Sequence, residues 1–383
     1  MLEPTIFVAL KNGFSDAEVY YSALRSFGSG GIFFDRYLGG HVIVDFETCK
    51  EVARRTDEFG RRRLSLPADL FGNDEQARSG YGVMQTMSIF SPASSSYAAR
   101  RQRLLAIAAS SRHGFESDLV RAAATGTFDL LSTGEPTDVF LTSLRPFAAQ
   151  CANIMLQIGE APPHVTDDAV TVTYFFDGKR PQKDHIVAAM RATDRLADWM
   201  AAQLGMSRAA DADAEILADL VLLYVAAHES VAYLLYTCLC QLARKDTFDS
   251  LSCSHASFIA EAIRHDSPVQ MSGRVATCDT KIGEYPIRQG ELVYLHVGAA
   301  NRDAKVFENA DTFDEHRQPK HLGFGWGPTR CVGSEFATAC ATEYIEAVRS
   351  CFSAVRHDAG KSRFDHGLSA RGLKTSSFAF ARR

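Results

Sequence analysis

Phe324-Gly325-Trp326-Gly327-Pro328-Thr329-Arg330-Cys331-Val332-Gly333 is the stretch whose reading decides the fold. Three glycines and a proline precede or follow a single thiol, and a helix-like stretch begins at Ser334. Glycine has no side chain to keep a flat ligand away from the backbone. The helix start that follows carries a partial positive charge, which favours a thiolate over a thiol. A thiolate presented in this way is suited to ligate a haem iron axially.

Outward from this loop, the chain of 383 residues shows no linker, repeat or low-complexity tract, which predicts one domain over 1–383. Hydrophobic residues at 46% and charged residues at 23% are ordinary globular values. A net charge of −5 argues against a general nucleic-acid binder, which needs a basic face. The basic run Arg61-Arg62-Arg63 reads as a solvated surface. Nine cysteines without a Cys-x-x-Cys pair point to a reducing cytoplasm. The N-terminus shows no basic segment ahead of an apolar run, so no signal peptide is expected. The most apolar stretch, 216–227, is short for a bilayer and contains Asp219, so no membrane span is expected.

Helical periodicity dominates. It predicts helices near 47–56, 97–109, 115–131, 144–158, 184–204, 214–242, 256–265 and 334–351. His41-Val42-Ile43-Val44-Asp45-Phe46 reads as a strand, 275–297 holds strand and turn signals, and 367–373 reads as a hairpin tip. The fold class is mainly α with small β-sheets, an α+β chain. The segment 214–242 is apolar almost all round, which predicts a buried central helix. Within it, Ala226-Ala227-His228-Glu229-Ser230 puts a carboxylate in apolar surroundings, where it must be paired or functional. Glu261-Ala262-Ile263-Arg264 places opposite charges at i, i+3 on a further helix.

Together these motifs resemble the cytochrome P-450 superfamily, by motif over roughly residues 90 to 375. The loop matches Phe-Gly-x-Gly-x-His-x-Cys-x-Gly at every fixed position but one, where Thr329 replaces His. Glu229-Ser230 resembles the family's acid–alcohol pair, with Ala227 in place of the usual Gly and Ser230 in place of Thr. Glu261, Arg264 and Arg317 resemble the structural Glu-x-x-Arg motif and its third member, and Ala300-Asn301-Arg302-Asp303 matches a signature between them.

The resemblance implies a triangular helical prism, with haem b between the long distal helix and the cysteine-loop helix. It implies Cys331 as the iron ligand and Glu229 and Ser230 as the proton-delivering pair. Phe324, Gly325 and Gly333 would line the cofactor, and Arg103 and Arg274 would hold its propionates, with His321 or Arg330 assisting. Aligned through Arg103, the family's second His position falls on Ala99, and Arg100 is the substitute one turn earlier. The implied activity is a soluble bacterial monooxygenase, fed by a separate ferredoxin and its reductase. It would hydroxylate or oxidatively couple a small-molecule or peptide substrate of secondary metabolism. The substrate would contact 82–96, 173–183, Val225, 269–272 and Ser369. A peroxide-using haem-thiolate enzyme and a non-catalytic haem or gas-binding protein are the rival classes.

Overall fold

The computed structural model describes residues 5, 6, 9, 17–27, 30–67, 69–90, 95–113, 117–129, 131, 134–176, 182–208, 211–245, 247–248, 253–364, 367–370 and 372–383. The first half comprises α1 (Ala17–Ser26), β1 (Ile32–Asp35), β2 (Gly40–Ile43), α2 (Phe46–Arg54), β3 (Phe59–Gly60), α3 (Glu75–Thr86), α4 (Ser95–His113), α5 (Ser117–Thr125) and β4 (Thr137–Asp138). A π-helical turn, Phe140–Leu144, then leads into α6 (Arg145–Leu156), followed by α7 (Pro163–Phe176), α8 (Lys183–Leu204) and α9 (Asp211–Leu242). The second half comprises α10 (His255–His265), β5 (Ser272–Ala276), β6 (Thr280–Ile282), β7 (Tyr285–Ile287), β8 (Leu292–Leu295), α11 (Val297–Ala300), α12 (Ser334–Cys351), β9 (Phe352–His357), β10 (Arg363–Phe364), β11 (Leu373–Thr375) and β12 (Ser377–Arg382).

Among the described residues helices dominate and four small sheets flank them, the mainly α architecture with minor β that the periodicity predicts. The largest sheet has strand order β1-β2-β8-β5-β3, with only β2 and β8 parallel. The expected strand at 41–46 ends at Ile43, because the Asp45 carboxylate accepts from Thr48 N and caps α2. The expected helix at 115–131 is α5 alone, which ends at Thr125 before a turn that includes Gly126.

Helix α9 has the length and apolarity to cross a membrane, but 72% of its apolar window is buried within the protein. It packs against α6, α7, α8, α10 and α12, so its apolarity is that of a core helix. Asp219, the charge within that apolar stretch, is 3% exposed and is met by Arg100 from α4. Arg100 Nε and one terminal nitrogen reach the two Asp219 carboxylate oxygens, each at 2.8 Å, and Ser88 N adds a third bond at 2.8 Å. Arg100 thus satisfies a buried carboxylate that would otherwise be strongly disfavoured.

A second buried ion pair ties the helical layer to the cysteine loop. Glu261 and Arg264 on α10 are both fully buried and share two hydrogen bonds of 2.7 Å. Arg264 also donates to the carbonyls of Asn301, Ala310 and Thr312. Glu261 accepts from Asp314 N and from Arg317 Nε at 3.3 Å. The Asn301 side chain donates to Ser267 Oγ and accepts from Leu322 N at 2.7 Å, at the entry to the loop.

Glu261→Gln should leave Arg264 as an uncompensated buried charge. A loss of about 3–5 kcal/mol in urea unfolding is expected, the usual effect of breaking a buried pair. A loss smaller than ~1 kcal/mol, the value typical of a surface pair, would contradict this account of the core.

Candidate active site

The loop before α12 is held by its own backbone. Gly325 N donates to Leu322 O and Cys331 N donates to Phe324 O, both at 2.7 Å. Gly325 has φ +71, a left-handed conformation that side chains resist. At Gly323 the constraint is space: a Cβ would lie 2.2 Å from Ile263 Cγ2 of α10. Trp326 lies between two cations of α2, with Lys50 Nζ 5.1 Å and the Arg54 guanidinium 5.6 Å from its ring. These contacts fix where the thiol is presented.

Cys331 is exposed, yet burial raises its thiol pKa above the ordinary value. The thiol thus keeps accessible surface although protein surrounds much of it. The Gly333 N–H, Arg101 and Arg330 partly offset the burial effect by favouring the thiolate.

Helix α9 likewise keeps one accessible stripe in an otherwise buried surface. Ala226 is exposed and Leu222, Ala227 and Ser230 are half-buried, while Leu223 to Val225, His228 and Glu229 are buried. The stripe consists mostly of small side chains. Ser230 Oγ donates 2.6 Å to Ala226 O, one turn back. Glu229 faces elsewhere, because successive helical residues point about 100° apart. It is 2% exposed and pairs with Arg145 of α6, whose Nε is 2.6 Å from Oε1, and with His228, Nδ1 at 3.5 Å. Burial raises the Glu229 pKa, but His228 and Arg145 outweigh it and hold the carboxyl below its ordinary range. Arg145 stands directly after the π-helical turn and lies over the Phe140 ring at 4.8 Å, a partner that periodicity does not reveal.

The expected cofactor cations take varied positions. Arg274 on β5 donates to Ser272 Oγ, Gly273 O and Thr329 Oγ1, the last at 3.0 Å and two residues before Cys331. Thr329, standing at the family's His position, therefore anchors an arginine. Burial, with Arg61 nearby, pushes the Arg274 pKa down to about 10. Arg103 is exposed on the outer face of α4 with Glu215 3.6 Å away, and Arg100 is committed to Asp219. On that helix it is Arg101 whose charge acts on Cys331, a residue that the motif spacing does not single out.

His321 accepts from Gly323 N, and burial lowers its pKa to about 4, so the ring is neutral at physiological pH. It lines a cavity of about 360 Å³ with Phe324, Arg330, Ser334 and Glu335 at the start of α12. Of the expected substrate-contacting segments, 91–94 and 177–181 lie outside the described residues. The remainder offers apolar surface: Ile89 and Val269 are exposed, and the Phe90 and Phe176 rings meet at 5.8 Å.

The chain thus offers one thiol at a helix start, half-buried guanidiniums near it, and an accessible stripe of small side chains on α9. That donor set suits a flat apolar macrocycle that carries its own metal and two acidic substituents. Haem b meets all of these requirements.

A family model for cytochrome P450 matches residues 256–352. A putative cytochrome P450 from Mycobacterium tuberculosis is 30% identical over 271 residues, 63% of this chain and 64% of that protein. The biotin biosynthesis cytochrome P450 of Bacillus subtilis is 41% identical over 128 residues, 32% of each chain. The aligned stretches therefore span from a third to just under two thirds of these curated relatives. A solved structure of P450BioI in complex with acyl carrier protein bearing hexadec-9Z-enoic acid superposes with a TM-score of 0.81 at 20% identity, over 96% of this chain and 99% of that one. CalO2 gives a TM-score of 0.79 at 18% identity, over 96% and 97%. At such identities the likeness is one of fold.

The geometry at Glu229 predicts a pH signature. Its lowered pKa means that the ion pair stabilises the fold fully above the unfolded value of 4.5 and loses that contribution as pH falls through the folded value. Arg145→Met should therefore lower the urea midpoint at neutral pH, and the gap to wild type should narrow in acid. A gap independent of pH would remove this pair as its cause.

Proposed function

The chain belongs to the cytochrome P450 superfamily, and on that premise we propose that it is a haem-thiolate monooxygenase that uses O2 and acts as one domain. Family members bind haem b through the cysteine. The observation that carries the proposal is Cys331, accessible and held at the start of α12 by the Phe324 carbonyl.

Haem bound on Cys331 would supply the redox chemistry of oxygen activation. This chain's residues would do the rest. Cys331 Sγ would be the proximal ligand, with the Gly333 N–H donating to it. Phe324, Gly325 and Val332 would cover the proximal side, and Arg274 would bind a propionate. Ser230 Oγ is the hydroxyl on the accessible stripe and can pass on a proton once released from Ala226 O. Glu229, held ionised by Arg145 and His228 on the other side of α9, would accept protons arriving from solvent and pass them on through water. Glu261, Arg264 and Arg317 would act structurally, keeping the loop in place.

Electrons would come from a separate ferredoxin and its reductase, in the cytoplasm. The nine free cysteines suit that reducing setting. The apolar surface at Ile89, Val269, Phe90 and Phe176 favours an apolar organic substrate, oxidised by hydroxylation or coupling. The relatives named for biotin biosynthesis, for linalool 8-monooxygenase and for pulcherriminic acid synthase support a role in specialised small-molecule metabolism. The Glu229–Ser230 pair favours O2 over peroxide as the oxidant, because a peroxide-driven enzyme needs no proton relay to reduce oxygen.

Turnover with a ferredoxin system and NAD(P)H, compared with turnover on peroxide alone, tests this reading. Product should form with the ferredoxin system, and the product formed per NAD(P)H should fall severalfold in Ser230→Ala and Glu229→Gln as reducing equivalents are diverted to peroxide. Product from peroxide alone, or unchanged coupling in both variants, would overturn it.

A further inference from the structure

Strand β3 ends at Gly60, which pairs with Val275 of β5, after Phe59 with Ala276. Continuing this antiparallel register sets Arg61 opposite Arg274. Directly opposed residues present their side chains to the same sheet face, and like charges placed there repel. Neither guanidinium forms an ion pair with a carboxylate among the described residues, although the Asp219 charge acts on Arg61 from beyond ion-pair distance. A third cation, Arg101 of α4, acts on both Arg61 and Cys331 and likewise forms no ion pair with a carboxylate among the described residues. All three are half-buried, and burial lowers the pKa of Arg61 as it does that of Arg274.

Arg61 is nevertheless held in place. One terminal nitrogen donates to Ser88 O at 2.8 Å and the other to Tyr97 Oη at 2.6 Å, and its guanidinium lies 4.6 Å from the Tyr97 ring centroid. Tyr97 is four residues before Arg101, so the tyrosine and both arginines share one side of the site. A cluster of half-buried cations with no ion-paired carboxylate among the described residues is a site for an anion, and planar guanidiniums bind carboxylates well.

Building on the haem reading above, we propose that Arg61, clamped by Tyr97, is a propionate-binding residue of this protein, acting with Arg101 and Arg274. Arg61 would take the part of the histidines missing at the usual places, and the anionic propionates would neutralise the repulsion between β3 and β5. The two carboxylates meet three cations, so removing one cation weakens the hold on the cofactor without abolishing it.

The test is haem transfer from purified holoprotein to apomyoglobin, combined with the propionate-bending region of the resonance Raman spectrum. Arg61→Ala should lose haem roughly tenfold faster than wild type, the effect of losing a charge-assisted hydrogen bond, and shift the propionate band. Arg61→Lys should stay near wild type. Tyr97→Phe keeps the ring under the guanidinium and removes only the hydroxyl; it should raise the rate by a smaller factor with a smaller band shift. Should Arg61→Ala fail to fold, Tyr97→Phe decides. Wild-type haem loss and an unmoved band in Arg61→Ala, or in Tyr97→Phe where it is the deciding variant, would overturn the assignment while leaving the haem reading intact. A wild-type protein that takes up no haem would overturn both.

Discussion

The buried Glu261–Arg264 pair is the interaction on which the rest depends. Two full charges with no exposed surface are costly, and their mutual attraction repays this only when every remaining donor and acceptor is satisfied. Here the satisfying groups are backbone carbonyls at Asn301, Ala310 and Thr312, so the pair gathers a long irregular segment around α10. From Asn301 a hydrogen bond runs to Leu322, the Leu322 carbonyl receives Gly325, and the Phe324 carbonyl receives Cys331. The position of one thiol is thereby set by an ion pair on another helix. The pair's value lies in fixing geometry as much as in stability.

The same logic of compensated charge organises the opposite wall. Asp219 and Glu229 lie in the long apolar helix, and each is met by an arginine from another helix, Arg100 and Arg145. Glu229 and Ser230 diverge because they are neighbours on a helix, which sends one toward an ion pair and the other toward the accessible stripe. The arginines near the cysteine are different in kind. Arg61, Arg101 and Arg274 form no ion pair with a carboxylate among the described residues, and on this rests the proposal that they hold the anionic groups of a cofactor.

What the sequence revealed depended on how local the signal was. The cysteine loop, the 214–242 helix and the Glu-x-x-Arg spacing are contiguous patterns with strong physical causes, and all three are found where the periodicity puts them. In the sequence Arg61 reads with Arg62 and Arg63 as a solvated run, and those two are exposed; the pairing of β3 with β5, distant in sequence, separates Arg61 from them. On α4 the motif spacing favours Arg103 and Arg100, yet helical geometry turns each successive residue by about 100°, so an error of one or two positions exchanges the inner face for the outer. Arg145 could not be found at all from local pattern, since its partner lies on another helix and a π-helical turn precedes it.

The central proposal is that Cys331 would ligate the iron of a haem held in this fold, and the Soret band of the reduced carbon monoxide complex reads that bond directly. Wild-type protein should show the strongly red-shifted band that sulfur ligation produces. Cys331→Ser should lose that shift while still folding, because its serine can occupy the same loop without supplying a thiolate. A red-shifted band that persists in Cys331→Ser, or its absence from haem-loaded wild type, would contradict the account.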